Sequence, residues 1–298
     1  MTPDWIAADW GTSNLRVWAM SEAGAILTAR SSDKGMGQLA PDQFEAALLD
    51  LVDGLLPEGR TTSIVASGMV GARQGWIEAP YAAVPSKPLS GNTVAAPTKD
   101  PRLSVHILPG MSQASPADVM RGEETQIAGY VAGDPQFDGV ICLPGTHTKW
   151  AHISAEEVVS FRSFMTGELF ALLSKQSVLR HSVGGSDWDQ AAFEEAAAAA
   201  MSRPQTVAAD LFTLRAESLL SGLSAGAARA RLSGLLMGLE LAGARPYWLG
   251  QRIVLIGDAA LSALYAQLLQ AQGAVAEIAD ATEMTLKGLA AARQQLKG

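Results

Sequence analysis

The chain lacks the residues that would build a disulfide framework or a nucleic-acid surface. It has 298 residues and one cysteine, Cys142, which excludes an intrachain disulfide framework and a cysteine-based zinc site. Its net charge is −8 and its basic residues form no run, so nucleic acid is not expected as a partner. No apolar run approaches the roughly 18 residues that span a bilayer, and no basic segment followed by an apolar one opens the chain. We therefore expect a soluble, cytoplasmic protein without a membrane partner.

What the chain does have is the composition of an ordinary globular protein, with 48% hydrophobic and 17% charged residues, and room for one large or two medium domains. Apolar periodicity and the Gly/Pro positions predict strands alternating with helices, which indicates an α/β fold. The predicted strands are 5–10, 15–20, 25–30, 63–67, 103–108, 138–143, 149–153, 251–258 and 274–278. The predicted helices are 41–56, 118–131, 167–178, 187–201, 206–222, 226–243, 259–271 and 282–296.

A first turn with anion-binding chemistry joins the first two predicted strands. Gly11 lets the backbone approach an anion closely, and Thr12, Ser13 and Asn14 offer amides and hydroxyls to phosphate oxygens. Asp9 can hold a hydrated Mg²⁺, an ion that binds through one or two carboxylates plus substrate phosphates. The same residues also suit an ordinary hairpin turn, which taken alone is the better interpretation.

A second turn of similar design follows the strand at 138–143. Gly145 permits close approach, Thr146 and Thr148 offer hydroxyls, and Lys149 offers a positive charge for phosphate. His147 either bonds an acceptor or supports the turn. Two such hairpins, one in each half of the chain, predict two related lobes that face one cleft.

A glycine-rich loop after the strand at 63–67 is the candidate site for an acidic substrate, because α/β sheets bind ligands at the carboxyl ends of their strands. It runs from Ser67 through Met69 to Arg73, whose guanidinium suits a carboxylate. Arg121 and Arg162 are rival anion binders. A solvated arginine in a flexible loop is the alternative interpretation.

Three further groups could belong to a site or could be plain structure. Glu123 and Glu124 follow Gly122, and adjacent carboxylates in a helix diverge by about 100°, so one at most faces a cleft; a helix start that favours Glu is the simpler reading. In the segment Phe161–Phe170, Thr166 with Glu168 could simply start a helix. Gly257 closes a strand where a nucleoside could lie on the backbone, although a βα turn explains it equally well.

Together these motifs resemble the actin-like ATPase superfamily of sugar kinases, and most closely the 2-dehydro-3-deoxygalactonokinase family. The resemblance covers nearly the whole chain. It rests on five motifs in the family's order: Asp9-Trp-Gly-Thr, Arg73-Gln-Gly-Trp, Met120-Arg-Gly-Glu-Glu-Thr-Gln, Leu143-Pro-Gly-Thr-His and Phe164-Met-Thr-Gly-Glu-Leu-Phe. The related glycerol kinases carry their catalytic aspartate in a Gly-Asp-Gln-Gln helix start, so the Glu found here leaves the base between Glu123, which matches by position, and Glu124.

The resemblance implies a two-lobed, ribonuclease H-like α/β fold with a central cleft for ATP and substrate. The expected lobes are residues 1–118 and 119–298, with the final helix as a candidate to pack back towards the first lobe, and a homodimer is the possible assembly. The activity implied is ATP-dependent phosphorylation of the 6-hydroxyl of 2-dehydro-3-deoxy-D-galactonate with Mg²⁺, in galactonate catabolism.

Roles are carried over residue by residue. Asp9 would hold Mg²⁺ through water, and Glu123 would be the base. The nucleotide would be bound by Gly11, Thr12, Ser13, Asn14, Gly145, Thr146, His147, Thr148, Lys149 and Gly257. The sugar acid would be bound by Arg16, Ser67, Met69, Arg73 and Glu124. The alternatives are a kinase of another sugar on this fold, a non-catalytic actin-like ATP-binding protein, and an exopolyphosphatase-like hydrolase.

Overall fold

A computed structural model describes residues 2–297. Its strands are β1 (Trp5–Trp10), β2 (Leu15–Met20), β3 (Ile26–Ser32), β4 (Thr62–Gly68), β5 (Tyr81–Ala83), β6 (Val94–Ala95), β7 (Leu103–Ile107), β8 (Gly110–Ala114), β9 (Ala117–Met120), β10 (Gly139–Leu143), β11 (Thr148–Ser154), β12 (Glu157–Phe164), β13 (Ile253–Gly257) and β14 (Ala276–Asp280). Its helices are α1 (Phe44–Val52), α2 (Glu123–Gly133), α3 (Thr166–Lys175), α4 (Gln190–Ser202), α5 (Val207–Leu220), α6 (Ala225–Gly243), α7 (Arg245–Trp248), α8 (Ala259–Ala271) and α9 (Ala281–Lys297).

The chain forms two compact units. The first comprises Met1–Phe137, Ile153–Ser160 and Asp280–Gly298, and the second comprises Asp138–His152 and Phe161–Ala279. This division differs from the predicted boundary at residue 118, because α2 belongs to the first unit. It packs along α9 at two glycines, where an added Cβ on Gly129 or Gly288 would lie 1.9 Å from a carbonyl oxygen of the other helix.

The main sheet of the first unit has the strand order β3-β2-β1-β4-β7-β6. Strands β1 and β2 form an antiparallel hairpin in which Asp9 faces Arg16, while β4 runs parallel to β1 and places Ser67 opposite Asp9. The core beside this sheet contains Trp10, Phe44 and Trp76, whose rings lie 5.1–6.1 Å apart. The ends of β1 and β4 are therefore side by side at one edge of a rigid sheet.

The five-stranded sheet, most of which belongs to the second unit, has the order β12-β11-β10-β13-β14. Counted along the chain, this repeats the third-second-first-fourth order of the first four positions in the first sheet, and β10 pairs with β13 in parallel as β1 does with β4. Helices α4 and α6 pack closely through Gly234 and Gly238, where an added Cβ would lie within 2.4 Å of the α4 backbone. The second turn thus occupies the same place in its sheet as the first turn does.

One predicted helix was wrong in part. The helix predicted over 118–131 begins only at Glu123, because 117–120 pair with β8 as a strand in which Met120 faces Met111. Strands β5, β6, β8, β9 and β12 were not predicted. No helix among residues 2–297 has the length and apolar character to cross a membrane.

Candidate active site

The first turn, Gly11–Asn14, is an exposed loop whose backbone is held from one side. The Gly11 N–H donates to the Asn14 carbonyl over 2.9 Å, and Met36 N–H donates to the Gly11 carbonyl over 3.0 Å. Gly35 packs so closely that an added Cβ would lie 2.3 Å from the carbonyl carbon of Ser13. The side chains of Thr12, Ser13 and Asn14 are exposed. The turn therefore has a fixed backbone and free polar side chains, which is what a phosphate-binding loop requires.

Asp9 lies at the end of β1, with its side chain 23% exposed. One carboxylate oxygen, Oδ2, accepts two hydrogen bonds from Arg16, over 3.1 Å from Nε and 2.5 Å from Nη2. The predicted substrate residue Arg16 is thus engaged in an ion pair and in a bond to Thr282. Among residues 2–297, no group of three or more His, Cys, Asp or Glu could hold a metal ion. A single partly exposed carboxylate fits a hydrated Mg²⁺ that is bound mainly by phosphates, and does not fit a cage of protein ligands.

The loop after β4 is anchored in the core and exposes one arginine. Trp76 is buried, and Gly75 packs so that an added Cβ would lie 2.2 Å from the Val70 carbonyl oxygen. Ser67 is buried, and its Oγ has no hydrogen-bond partner in the described part of the chain. Arg73 points out of the loop, with 80% of its side chain exposed and a 3.4 Å contact to Glu78.

The two rival arginines differ from Arg73. Arg121 is 9% exposed, donates to the Ala79 carbonyl over 2.8 Å and stacks on the Tyr81 ring at 4.3 Å. It therefore supports the segment after the loop from inside. Arg162 is exposed on β12, in the second unit.

The start of α2 separates the two candidate bases. Glu124 is fully buried, and both its oxygens accept the Gly122 N–H, over 2.9 and 2.8 Å. Burial and the neighbouring Glu123 raise the pKa of Glu124 to about 7. Glu123 is half-buried, and its Oε2 accepts the Arg121 N–H over 3.0 Å. Of the two carboxylates, Glu123 has the access that a base needs.

Three of the predicted residue groups come together in the first unit. An added Cβ on Gly122 would lie 3.3 Å from the Cα of Gly68, and one on Gly68 would lie 2.7 Å from the Trp10 carbonyl oxygen. The start of α2, the end of β4 and the end of β1 are therefore neighbours. Asp9, the Ser67–Arg73 loop and Glu123 belong to these three segments.

The second turn, Gly145–Thr148, exposes Thr146 and His147 and buries Thr148. The Thr148 Oγ1 lies 3.2 Å from the buried hydroxyl of Tyr265, so this side chain faces the interior of the unit. Lys149 is also buried, and its Nζ donates to the His147 carbonyl over 3.3 Å. Of the three polar side chains predicted beyond Thr146, only His147 is exposed.

A cavity of about 480 Å³ opens beside the second turn, within the second unit. Gly145, Thr146 and Thr166 form one part of its wall. The rest of the wall is formed by Gly167, Phe170, Trp188, Arg229, Ser233, Leu236, Met237, Ala260, Leu261, Leu264 and Tyr265. Its wall includes an exposed Trp188 and an Arg229 guanidinium 5.0 Å from the Phe170 ring. This volume and this mixture of apolar, aromatic and polar groups suit a nucleoside.

Gly257 ends β13 close to the second turn. An added Cβ there would lie 3.0 Å from the Pro144 carbonyl oxygen, and Asp258 caps α8 by accepting the Leu261 N–H over 3.0 Å. Gly257 itself does not line the cavity, whereas Ala260 and Leu261 do. The strand-to-helix junction was predicted, but the cavity-lining residues follow the glycine.

Sequence reasoning missed most of the cavity. Trp188 and Arg229 lie on segments distant in sequence from the second turn, and neither carries a local signal. Thr166 and Phe170 belong to a motif that was noticed but given no role. Glu240, the buried carboxylate bonded to Tyr265 over 2.8 Å, lies in an apolar helix and was not noticed.

Comparisons with known proteins identify relatives over nearly the whole chain. The family model described as 2-keto-3-deoxy-galactonokinase matches residues 9–292. A Rhizobium meliloti protein named "Probable 2-dehydro-3-deoxygalactonokinase DgoK1" is 38% identical over 97% of this chain and 96% of its own. The Escherichia coli 2-dehydro-3-deoxygalactonokinase is 34% identical over 92% of this chain and 91% of its own.

Solved structures agree on the fold. The crystal structure described as that of "a putative 2-dehydro-3-deoxygalactonokinase protein from Sinorhizobium meliloti" has a TM-score of 0.90 at 38% identity, covering 98% of this chain and 99% of its own. Component A of the (R)-2-hydroxyglutaryl-CoA dehydratase from Acidaminococcus fermentans has a TM-score of 0.53 at 12% identity, covering 99% of both chains, and shows the fold alone. The predicted α/β fold class, of the actin-like ATPase type, is confirmed.

Proposed function

Because this chain belongs to the 2-keto-3-deoxy-galactonokinase family, we propose that it phosphorylates 2-dehydro-3-deoxy-D-galactonate. ATP would donate its γ-phosphoryl group to the 6-hydroxyl, giving 2-dehydro-3-deoxy-6-phosphogalactonate and ADP, in galactonate catabolism. The match of the family over residues 9–292 carries the proposal. Chemistry of this kind depends mainly on positioning and on stabilising charge.

Glu123 is the proposed base. It is half-buried at the start of α2, next in sequence to the fully buried Glu124, and it would accept the 6-hydroxyl proton as the phosphoryl group is transferred. Glu124 is instead the proposed structural carboxylate, since it is fully buried and its oxygens accept the Gly122 N–H and the Thr125 hydroxyl. Glu124 was predicted to bind the substrate. We propose that it acts on the substrate indirectly, by holding the start of α2 in place.

The exposed polar groups of Gly11–Asn14 and of Thr146 are the proposed phosphate ligands, and Asp9 is the proposed Mg²⁺ anchor. Bound Mg²⁺ would neutralise charge on the transferred phosphoryl group. Arg16 holds the Asp9 carboxylate through Oδ2, which orients the other oxygen without removing the negative charge. The cavity lined by Trp188 and Phe170 is the proposed nucleoside pocket.

Arg73 is the proposed partner of the substrate carboxylate. Its guanidinium is exposed on a loop whose backbone is anchored by Trp76, and its contact with Glu78 is long. A planar guanidinium can bind a carboxylate through two parallel hydrogen bonds. The buried Arg121 supports the neighbouring segment through the Ala79 carbonyl and would affect the loop indirectly.

We also propose, from the sequence, a cytoplasmic location and a homodimer.

The test is a coupled assay of ADP formation with 2-keto-3-deoxy acids derived from galactonate and gluconate, and with neutral sugars. We expect turnover with the galactonate-derived acid. Phosphate release without any acceptor would instead favour a hydrolase, and ATP binding without turnover would favour a non-catalytic protein. Preference for a neutral sugar would move the proposal to another kinase on this fold.

Glu123→Gln is expected to lower kcat by about 10²–10⁴-fold while ATP binding survives, because the amide cannot accept the proton. Arg73→Ala is the companion variant, and it should raise KM for the sugar acid while leaving KM for ATP unchanged. Normal turnover by Glu123→Gln would contradict the assignment of the base, and an unchanged KM in Arg73→Ala would move the carboxylate to another arginine. Arg73 is exposed, and Glu123→Gln keeps an oxygen that can accept the Arg121 N–H, so thermal unfolding of both variants should change little.

A further inference from the structure

The start of α3 contacts the second turn at three places. The Glu168 N–H donates to the Thr146 carbonyl over 3.0 Å, and the Glu168 carboxylate lies 2.5 Å from Nε2 of His147. An added Cβ on Gly167 would lie 2.3 Å from the Gly145 carbonyl oxygen. The backbone of the turn and the first residues of α3 therefore form one packed assembly, in which a shift of α3 would also shift the turn.

The residue that begins α3 is fixed by a buried carboxylate. Thr166 donates its hydroxyl in a short hydrogen bond to Oε2 of Glu240, which is 2% exposed on α6. Glu240 also accepts from Trp150 Nε1 and from the Tyr265 hydroxyl, each over 2.8 Å. Burial raises the pKa of Glu240, and these hydrogen bonds partly oppose the rise.

A carboxylate at this position is costly unless it has a purpose beyond packing. An apolar side chain of similar volume would fill the space at less cost in desolvation. The Glu240 carboxylate accepts hydrogen bonds from side chains of three separate elements: Trp150 on β11, Thr166 on α3 and Tyr265 on α8. One of those donors, Thr166, opens the helix that contacts the second turn.

We propose that Glu240 is a positioning residue that, through Thr166, fixes the start of α3 and so holds the Gly145–His147 turn in the shape that binds phosphate. The inference rests on the proposed function only in taking this turn to be a phosphate-binding one. It gives the motif Phe164–Phe170 a role, since Thr166, Gly167 and Glu168 are its central residues. Neither Glu240 nor Gly167 needs to touch the reacting atoms.

The test compares a nucleotide that reaches the turn with one that does not. Binding of the non-hydrolysable ATP analogue AMPPNP with Mg²⁺, and of AMP, is measured by calorimetry for wild type, Thr166→Val and Thr166→Ser. Thr166→Val removes the hydroxyl with little change of volume and should weaken AMPPNP binding by about tenfold, the effect of one hydrogen bond to a charged acceptor. AMP binding is compared in Glu240→Gln, whose side chain does not line the cavity. It should change less than about twofold there, because AMP lacks the β- and γ-phosphates. Thr166→Ser keeps the hydroxyl and should bind like wild type.

A double-variant cycle then connects the two residues. Glu240→Gln should weaken AMPPNP binding in the same direction, and Thr166→Val combined with Glu240→Gln should be no worse than the weaker-binding single variant, because both act through one bond. Additive losses would overturn the proposal. So would equal losses for AMPPNP and AMP, which would indicate a general collapse of the cavity, or unchanged AMPPNP binding in Thr166→Val.

Two controls keep the outcome interpretable. Thermal unfolding of each variant identifies a Glu240→Gln that does not fold, in which case the Thr166→Val and Thr166→Ser pair decides alone. Turnover with the sugar acid is measured on the same samples of wild type. If wild type binds AMPPNP but phosphorylates no sugar acid, the proposed function fails while this inference is still decided by the binding data.

Discussion

The two glycine turns occupy equivalent places in two sheets that share the order of four strands, and each turn is held by a second glycine from a later segment. In the first unit Gly35 packs on the turn that begins at Gly11, and in the second unit Gly167 packs on the turn that begins at Gly145. The turn glycines have room beside them, since an added Cβ would meet an atom at 3.7 Å at Gly11 and nothing within 4 Å at Gly145. The supporting glycines, Gly35 and Gly167, have no room for a side chain.

The supports differ in chemistry. The first turn is held by backbone groups: Met36 and Gly37 donate N–H bonds to the Gly11 and Thr12 carbonyls over 3.0 and 2.9 Å. The second turn is held partly by side chains, through the Glu168 carboxylate, and its support is tied to the buried Glu240. The buried carboxylate of the first unit, Glu124, differs from Glu240 in part: it accepts the Gly122 N–H as well as the Thr125 hydroxyl, whereas Glu240 accepts from three side chains. A backbone support tolerates changes of side chain, whereas a side-chain support can be weakened by single substitutions.

The largest expected effect comes from filling the supporting glycines. In both Gly35→Ala and Gly167→Ala the new Cβ would lie 2.3 Å from backbone atoms, and backbone cannot move aside cheaply. We expect each variant to lose about 3 kcal/mol of stability or more, as in severe overpacking. The measurement is the midpoint of denaturant unfolding, with Gly133→Ala as the matched control because nothing lies within 4 Å of its added Cβ. An unchanged midpoint in either variant would break the symmetry between the two turns.

The turn glycines should respond in the opposite way. Gly145→Ala places its methyl group in open space, so the free energy of unfolding should stay within about 0.5 kcal/mol of the wild-type value. If phosphate approaches the backbone here, the methyl group should weaken AMPPNP binding by about tenfold through exclusion of the ligand. Gly11→Ala tests the first turn in the same assay. Affinity that is unchanged in both variants would contradict the proposed role of these glycines.

The local parts of this comparison could be predicted from the sequence. Both hairpins follow from apolar strands that flank Gly-Thr turns, and the helix starts follow from polar caps such as Asp258. The supports could not be predicted, because Gly35 and Gly167 are recognisable only from what they touch. Glu240 bonds Thr166 and Trp150, which are 74 and 90 residues away. Strand β9 was mistaken for helix because its pairing with β8, and not local propensity, determines its conformation.

A smaller effect is expected at the buried Glu124, where the stability of the protein should depend on pH. The pKa of Glu124 is raised from 4.5 to about 7 by burial and by Glu123, so between these values the folded protein binds more protons than the unfolded chain. The contribution of Glu124 to stability is therefore present at low pH and is lost as pH rises through this window. Glu124→Gln cannot ionise, so its stability relative to wild type should increase by about 1 kcal/mol between pH 5.5 and pH 6.5. Denaturant unfolding of both proteins at the two pH values measures this change in relative stability. If the stability difference between Glu124→Gln and wild type were the same at both pH values, the pKa of Glu124 would not be raised. The hydrogen bond from the Gly122 N–H would then offset the effect of burial on the charged form.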